Sequence, residues 1–283
     1  MRFDIVTIFP GFFAGIFEHG IVRRAQAEGL VTVETHDLRN FTHDRHRTVD
    51  DRPFGGGEGM VLKPEPLAEA LGALGVTPNA GSRDQESGDK DPRAPAAQPH
   101  VILLSAQGRP FTQSIARQLA TLDRIVLVCG RYEGVDERIN QLYCDMELSI
   151  GDYILSGGEL AAAVVVDAVM RLIPGVLGNQ ASGEFESFGE ADAEIDVDRE
   201  GVPRSQHGSG GLLDYPHYTR PADFAGLRVP EVLVNGDHQQ IRRWRREQQL
   251  RKTLANRPDL IERASLTADD QKLLQSIRQR ETS

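Results

Sequence analysis

The sequence predicts an α/β fold with a mainly parallel sheet, followed by a smaller all-helical domain. Three observations carry this. The runs 3–9 (FDIVTIF), 100–105 (HVILLS) and 125–128 (IVLV) are apolar on both strand faces, the pattern of strands covered on two sides. They alternate with segments of helical apolar spacing, such as 12–28 and 159–172. Beyond residue 237 the strand signals stop and two helical patterns, 237–256 and 266–279, finish the chain.

The elements follow in order. Residues 3–9 form a central first strand. Phe13, Ile16, Phe17, Ile21 and Ala25 recur near helical spacing, so 12–28 reads as one helix. Residues 31–37 read as a second strand. A polar, glycine-rich loop follows over 40–59, and then a helix over 66–74. Residues 77–99 are rich in Pro, Gly, Ser, Asp and Ala and bury too little apolar area to order themselves, so a flexible insertion is expected there. The strand 100–105 and a helix over 111–119 lead to the strand 125–128. An Ala- and Val-rich helix over 159–172 stops near Pro174. The domains expected are 1–178, an acidic flexible linker 179–211, and a helical domain 212–283. No internal repeat is present.

Composition narrows the class. The 283 residues suffice for two domains, and the net charge of −10 argues at first against a nucleic-acid partner. The charge is uneven. Residues 184–200 alone contribute −7, leaving −3 for everything else, whereas 242–252 carry a local +5. Local fields decide where phosphates bind. The two cysteines, Cys129 and Cys144, lie outside any C-x-x-C spacing, so reduced thiols in a cytoplasmic protein are expected. The start MRFDIVTIFPGFF has Asp4 too early for a signal peptide, and no run of about 18 apolar residues exists to span a membrane.

Two loops concentrate the chemistry. One follows the strand 125–128 and carries Arg131, Glu133, Asp136, Glu137 and Arg138 behind Gly130. The other runs Ser149-Ile150-Gly151-Asp152-Tyr153-Ile154-Leu155-Ser156-Gly157-Gly158 and opens into the helix at Glu159, whose charge suits the first turn. Glycines at the ends of buried strands let a ligand lie against backbone amides, although two tight turns in a sheet would read the same way. Phe54-Gly55-Gly56-Gly57-Glu58-Gly59 lacks both the G-x-G-x-x-G fingerprint and the Lys-Ser/Thr of a P-loop. A Rossmann-type dehydrogenase or methyltransferase is disfavoured, because the glycine-rich fingerprint is missing after the first strand. His43, Asp44, His46, Asp50 and Asp51 fit no ligand spacing, so no metal site is predicted.

GRYEGVDER (130–138) with SIGDYILSGGE (149–159) closely resembles the bacterial tRNA (guanine-N1)-methyltransferases of the knotted SPOUT class. FDIVTIFPGFF, VDDRPFGGGEGMVLKPEP (49–66) and GLLDYPHYTRP (211–221) match as well, so the resemblance covers most of the chain outside two polar insertions. The chain departs from the family where Glu58 and Ala106 stand in place of the usual prolines. The resemblance implies a deep trefoil knot, S-adenosylmethionine as donor, and a homodimer whose active site lies at the subunit interface. It also implies a tRNA acceptor, methylated at N1 of the guanine 3′ adjacent to the anticodon (position 37). Leu104, Ser105, Gly130, Tyr132, Glu133, Ser149, Ile150, Gly151, Asp152, Tyr153, Ile154, Leu155, Gly157 and Gly158 are the cofactor-binding residues so implied. Some members require magnesium (Mg2+), which would act at Glu133.

Guanine N1 bears a proton, so methylation there needs a base, a stabiliser for charge on O6, and alignment with the methyl group. The resemblance gives the base role to Asp214; from the residues alone, a helix N-cap is the competing reading. Arg131, Arg138 and Arg220 are candidates for O6 or phosphate. Arg220, Arg242, Arg243, Arg245 and Arg246 are expected to bind RNA, with Trp244 expected in the core. Two other classes stay open: another SPOUT enzyme acting on ribose 2′-O, which mass spectrometry of the modified atom would separate, and a non-catalytic RNA-binding protein, which would bind no donor in calorimetry.

Overall fold

A computed structural model describes residues 1–79, 98–178, 186–189 and 209–281. The chain divides into two compact units, Met1–Gly178 and Asn179–Ser283. Most of the expected insertion at 77–99 and of the expected linker at 179–211 lies outside the described residues.

The N-terminal unit is built on five parallel strands: β1 (Arg2–Thr7), β2 (Thr32–Asp37), β5 (His100–Pro110), β6 (Arg124–Cys129) and β7 (Met146–Ser149), in the order β2-β1-β6-β5-β7. Side chains alternate across the sheet. Phe3, Ile5, Ile102, Ile125 and Leu127 face one way, into a cluster with α1 (Gly20–Ala27), α3 (Gln113–Ala120) and α5 (Glu159–Met170). Val6, Val101, Leu103, Val126 and Val128 face the other way, against α2 (Pro64–Ala73) and α4 (Glu137–Tyr143). Helices on both faces explain why the strands read as continuous apolar runs. A small antiparallel pair, β3 (Asp50–Asp51) with β4 (Val61–Leu62), closes the glycine-rich loop.

The single helix expected over 12–28 is split. Pro10–Phe13 forms a 3-10 turn, and α1 starts only at Gly20, because Gly15 (φ 84°) and Gly20 (φ 60°) take left-handed conformations that break the run. The strand expected over 100–105 extends to Pro110 through a bulge, so that Leu104 and Arg109 both sit opposite Leu148. Asp4 is fully buried and holds Arg124 (2.8 Å), Arg2 (2.9 Å) and His36 (2.7 Å) around one carboxylate. Its ligand atoms lie within 4.8 Å of those of Glu34 and His36, yet two guanidinium groups occupy that carboxylate, so the cluster is an ion-pair network tying β1, β2 and β6.

The C-terminal unit contains α6 (His238–Asn256), α7 (Pro258–Arg263) and α8 (Ala268–Glu281). The Asp237 carboxylate caps α6 by accepting from Gln239 N (2.9 Å) and Gln240 N (3.0 Å). Leu212, Leu250, Ile261, Leu274 and Ile277 form its core. The unit is not purely helical: β8 (Asp223–Phe224) and β9 (Leu227–Arg228) form an exposed hairpin. Ala225 and Gly226 make its turn with positive φ, a signal masked in the sequence by the shortness of the strands. Among the described residues, no helix is long and apolar enough to cross a membrane.

Candidate active site

A cavity of about 410 Å³ opens at the carboxyl ends of β5, β6 and β7, where ligands of parallel sheets bind. Its walls are the β5 bulge, the loop after β6 and the loop after β7. The two long loops are stitched together. Gly158 N donates to Gly130 O (2.9 Å), and Arg131 bridges to Gly157. A Cβ on Gly158 would stand 2.8 Å from Cys129 Cα, so only glycine permits this approach.

Beneath the stitch lies a buried ion pair. Glu159 is 1% exposed and Arg131 is 16% exposed. Arg131 Nε donates to Glu159 Oε2 at 2.9 Å, and its Nη2 lies 2.8 Å from the same oxygen. Arg131 Nη1 donates to Ser156 O (3.0 Å), and the guanidinium sits 4.6 Å from the Phe9 ring centroid. Thr7 Oγ1 donates to Glu159 Oε1 (2.7 Å) and itself accepts from Phe9 N (2.9 Å). Arg131 thus anchors the two loops to the scaffold while also lining the cavity. Burial, and then the Glu159 charge, push the neighbouring Cys129 thiol well above its ordinary value, against a smaller opposing effect of Arg131.

The glycine-rich loop docks on the same wall. Glu133 N donates to Met60 O (3.0 Å), and Leu62 N donates to Gly134 O (3.0 Å). Gly59 has φ 81°, and a Cβ there would meet Glu133 Oε1 at 2.4 Å, so this glycine lets the Glu133 side chain lie over the loop.

Leu104, Ser105, Gly130, Tyr132 and Glu133 line the cavity, as do Ser149, Ile150, Gly151, Tyr153, Ile154, Leu155, Gly157 and Gly158. Asp152 does not. Tyr153 N bonds back to Gly151 O (2.9 Å), and this tight turn throws Asp152 outward into solvent. Gln107, Glu137, Glu147 and Ser156 also line the cavity and were not anticipated. The charge of the 130–138 loop hinted at Glu137, whereas nothing in the sequence marks Glu147, which reaches the cavity from β7. Glu133, Glu137 and Glu147 together make the cavity acidic.

Asp214 lies in the C-terminal unit on an extended segment. No helix follows it, so the N-cap alternative fails. Leu212, fully buried, and Leu213 N bonded to Thr253 Oγ1 (3.0 Å) pin that segment to the helical core. The Asp214 carboxylate accepts from Tyr215 N (2.7 Å) and lies 2.9 Å from His217 Nε2. The side chain remains 20% exposed.

The expected RNA-binding arginines separate into two kinds. Arg246 is bidentate to Asp270 (2.7 and 2.9 Å) and also donates to Ser209 O, so it is a structural lock rather than a surface contact. Arg220, Arg242 and Arg243 have no ion pair with another described residue, and Arg245 stacks on Tyr215 at 4.8 Å. Arg138, the other candidate for O6, is held by Asp136 (2.7 Å). Trp244, expected in the core, instead lines a second cavity within this unit.

The family described as tRNA (Guanine-1)-methyltransferase TrmD matches residues 1–263. Curated relatives include a tRNA (guanine-N(1)-)-methyltransferase of Koribacter versatilis, 55% identical over 278 residues, covering 98% of each chain. Another of the same name, from Dehalococcoides mccartyi, is 47% identical over 98% of this chain and 97% of its own. A third, from Dictyoglomus turgidum, is 46% identical over 98% and 97%. The chain therefore belongs to the tRNA (guanine-1)-methyltransferase family.

Proposed function

We infer that this chain is an enzyme that methylates N1 of guanine in tRNA, at the guanine 3′ adjacent to the anticodon, with S-adenosylmethionine as donor and Asp214 as general base. The observation that carries the reading is 55% identity, over 98% of the chain, to a curated tRNA (guanine-N(1)-)-methyltransferase.

The cavity residues fit the donor. Its loops meet so closely that a ligand would contact backbone amides around Gly130 and Gly158. Leu104, Ile150 and Leu155 offer apolar wall for an adenine, and Glu133, Glu137 and Glu147 offer negative charge to a sulfonium and an ammonium. When bound, S-adenosylmethionine supplies an electrophilic methyl group. Asp214 takes the N1 proton while the nitrogen–carbon bond forms and the sulfur–carbon bond breaks. Its carboxylate is pre-oriented by Tyr215 N and His217. Glu133 is the carboxylate at which magnesium would act.

The active assembly is a homodimer in which Asp214 of one chain completes the cavity of its partner. An exposed apolar face supports the dimer: Leu160 (48%) and Val164 (46%) on α5, beside Phe9 (43%), Phe12 (37%) and Ile16 (41%) around the turn that packs on α5. The trefoil knot fits a chain that leaves β7 at the sheet edge and returns past the 130–135 loop to an α5 packed against β1 and β6. Two buried free thiols fit a reducing cytoplasm.

Incubation with labelled donor and unmodified tRNA transcripts, carrying guanine or adenine at the target, tests the reading. Transfer to guanine alone is expected, with mass spectrometry placing the methyl on N1 rather than ribose 2′-O. Asp214→Ala should keep donor binding and lose transfer. Normal rates in that variant would refute the base assignment.

A further inference from the structure

The C-terminal unit holds its own cavity, of about 350 Å³, which shares Tyr215 and His217 with the surroundings of Asp214 but extends beyond them to Trp244 and Leu233. Tyr215, Tyr218 and Trp244 supply three aromatic walls, Arg220 and Arg245 two guanidinium groups, and Leu233 an apolar floor. Tyr218 and Trp244 are tilted at 56° with centroids 6.2 Å apart, so they pack as an aromatic pair on the cavity wall. Arg245 stacks over Tyr215, yet its Nε is buried without a hydrogen-bond partner among the described residues. A buried, unpaired donor is costly and points to a missing acceptor.

We propose that this cavity holds an unpaired nucleotide of the tRNA other than the methyl-accepting guanine. The inference rests on the tRNA reading above. Aromatic faces with guanidinium groups are how proteins take up splayed-out bases together with their phosphates. The local charge suits RNA: Arg242 and Arg243, beside the cavity on α6, lack an ion-pair partner among the described residues, whereas Arg246 is taken up by Asp270. The Asp214 carboxylate borders the cavity behind Tyr215 and His217 and is not part of its lining, so the cavity is a seat for a nucleotide next to the acceptor and not for the acceptor itself.

Trp244 is the sole tryptophan of the chain, so its emission reports this cavity directly. The full-length protein is titrated with a single-stranded heptaribonucleotide of anticodon-loop sequence, and separately with ribose 5-phosphate. Saturable quenching by the oligonucleotide, absent with ribose 5-phosphate, is expected. Tyr218→Ala should weaken that binding by about 5- to 150-fold, the range for loss of one base–aromatic stack, and Arg245→Gln should weaken it as well. Calorimetric donor binding and circular dichroism confirm that each variant is folded; Tyr218→Leu, which keeps apolar bulk, should also bind weakly and guards against collapse of the alanine variant. Unchanged emission at saturating RNA, or equal quenching by ribose 5-phosphate, overturns the proposal. So does emission that follows protein dilution instead of RNA, since that marks a second copy of the chain as occupant. Failure of the wild type to methylate tRNA at all would refute the enzymatic reading and is scored in a separate assay.

Discussion

Replacing Glu159 by Gln should destabilise the N-terminal unit more than almost any other isosteric change. Gln keeps the shape but offers a single acceptor oxygen, so the change removes one charge and turns an amide N–H2 toward either Thr7 or the Arg131 guanidinium, both of which donate to Glu159. Glu159 is 1% exposed and Arg131 16%, so a guanidinium is left with little water to compensate it. Removing one partner of such a pair costs about 3–5 kcal/mol, and the residual exposure of Arg131 favours about 3. For a unit of this size, 2–4 °C per kcal/mol gives a midpoint lowered by about 6–12 °C. Differential scanning calorimetry reads it directly, and a cycle with Arg131→Gln isolates the pair: the coupling should exceed about 1 kcal/mol. As a contrast, Lys272→Gln, in a pair 77% and 88% exposed, should change stability by less than about 0.5 kcal/mol. If Glu159→Gln shifts the midpoint no more than Lys272→Gln does, or if the cycle is additive, the pair does not hold the two loops and the reasoning fails.

Further expectations concern other parts of the chain. Gly158→Ala, whose Cβ would press on Cys129 Cα at 2.8 Å, should separate the stitched loops and raise the donor Kd at least about tenfold with little change in tRNA affinity, as measured by calorimetry. Asp270→Asn should destabilise the C-terminal unit by about 3 kcal/mol in urea titrations, because it strands the largely buried Arg246. Although burial raises the Asp270 pKa, the Arg246 hydrogen bonds outweigh it and the net shift is downward. The contribution is therefore complete above the unfolded carboxylate pKa of about 3.9 and is lost as pH falls through the lower folded value, so the variant should show a flatter acid limb. Burial pushes Cys144 to about 12 and Cys129 well above its usual range, so neither thiol should react with iodoacetamide at pH 8 until denaturant is added.

The sheet was legible because its strands are covered on both faces and so read as unbroken apolar runs. The split near Gly15 and Gly20 was not, since apolar spacing over 12–28 continues through the two glycines and only their positive φ reveals the break. The cavity-lining loops could be located from charge and glycine density, and the family resemblance named most of their residues. What spacing could not show is which way each side chain turns. Asp152 sits between lining residues yet points outward, while Glu147 enters from a strand with no motif around it. The basic face of α6 looked uniform in sequence. One of its arginines, Arg246, is consumed by Asp270, a partner 24 residues distant. Trp244 was misassigned to the core for a similar reason: an aromatic amid arginines gives no sign of whether its face packs or lines a hollow.

The bond from Thr7 to Glu159 joins residues 152 apart in the chain. It ties the end of the first strand to the start of α5, with Phe9 and Arg131 clasped between them. The donor's berth is therefore among the final features to mature during synthesis, since loop-closure entropy delays contacts of such span. A nascent chain halted before residue 159 would own most of its sheet and still be blind to the methyl donor, so that ligand affinity serves as a clock for completion of this half of the molecule.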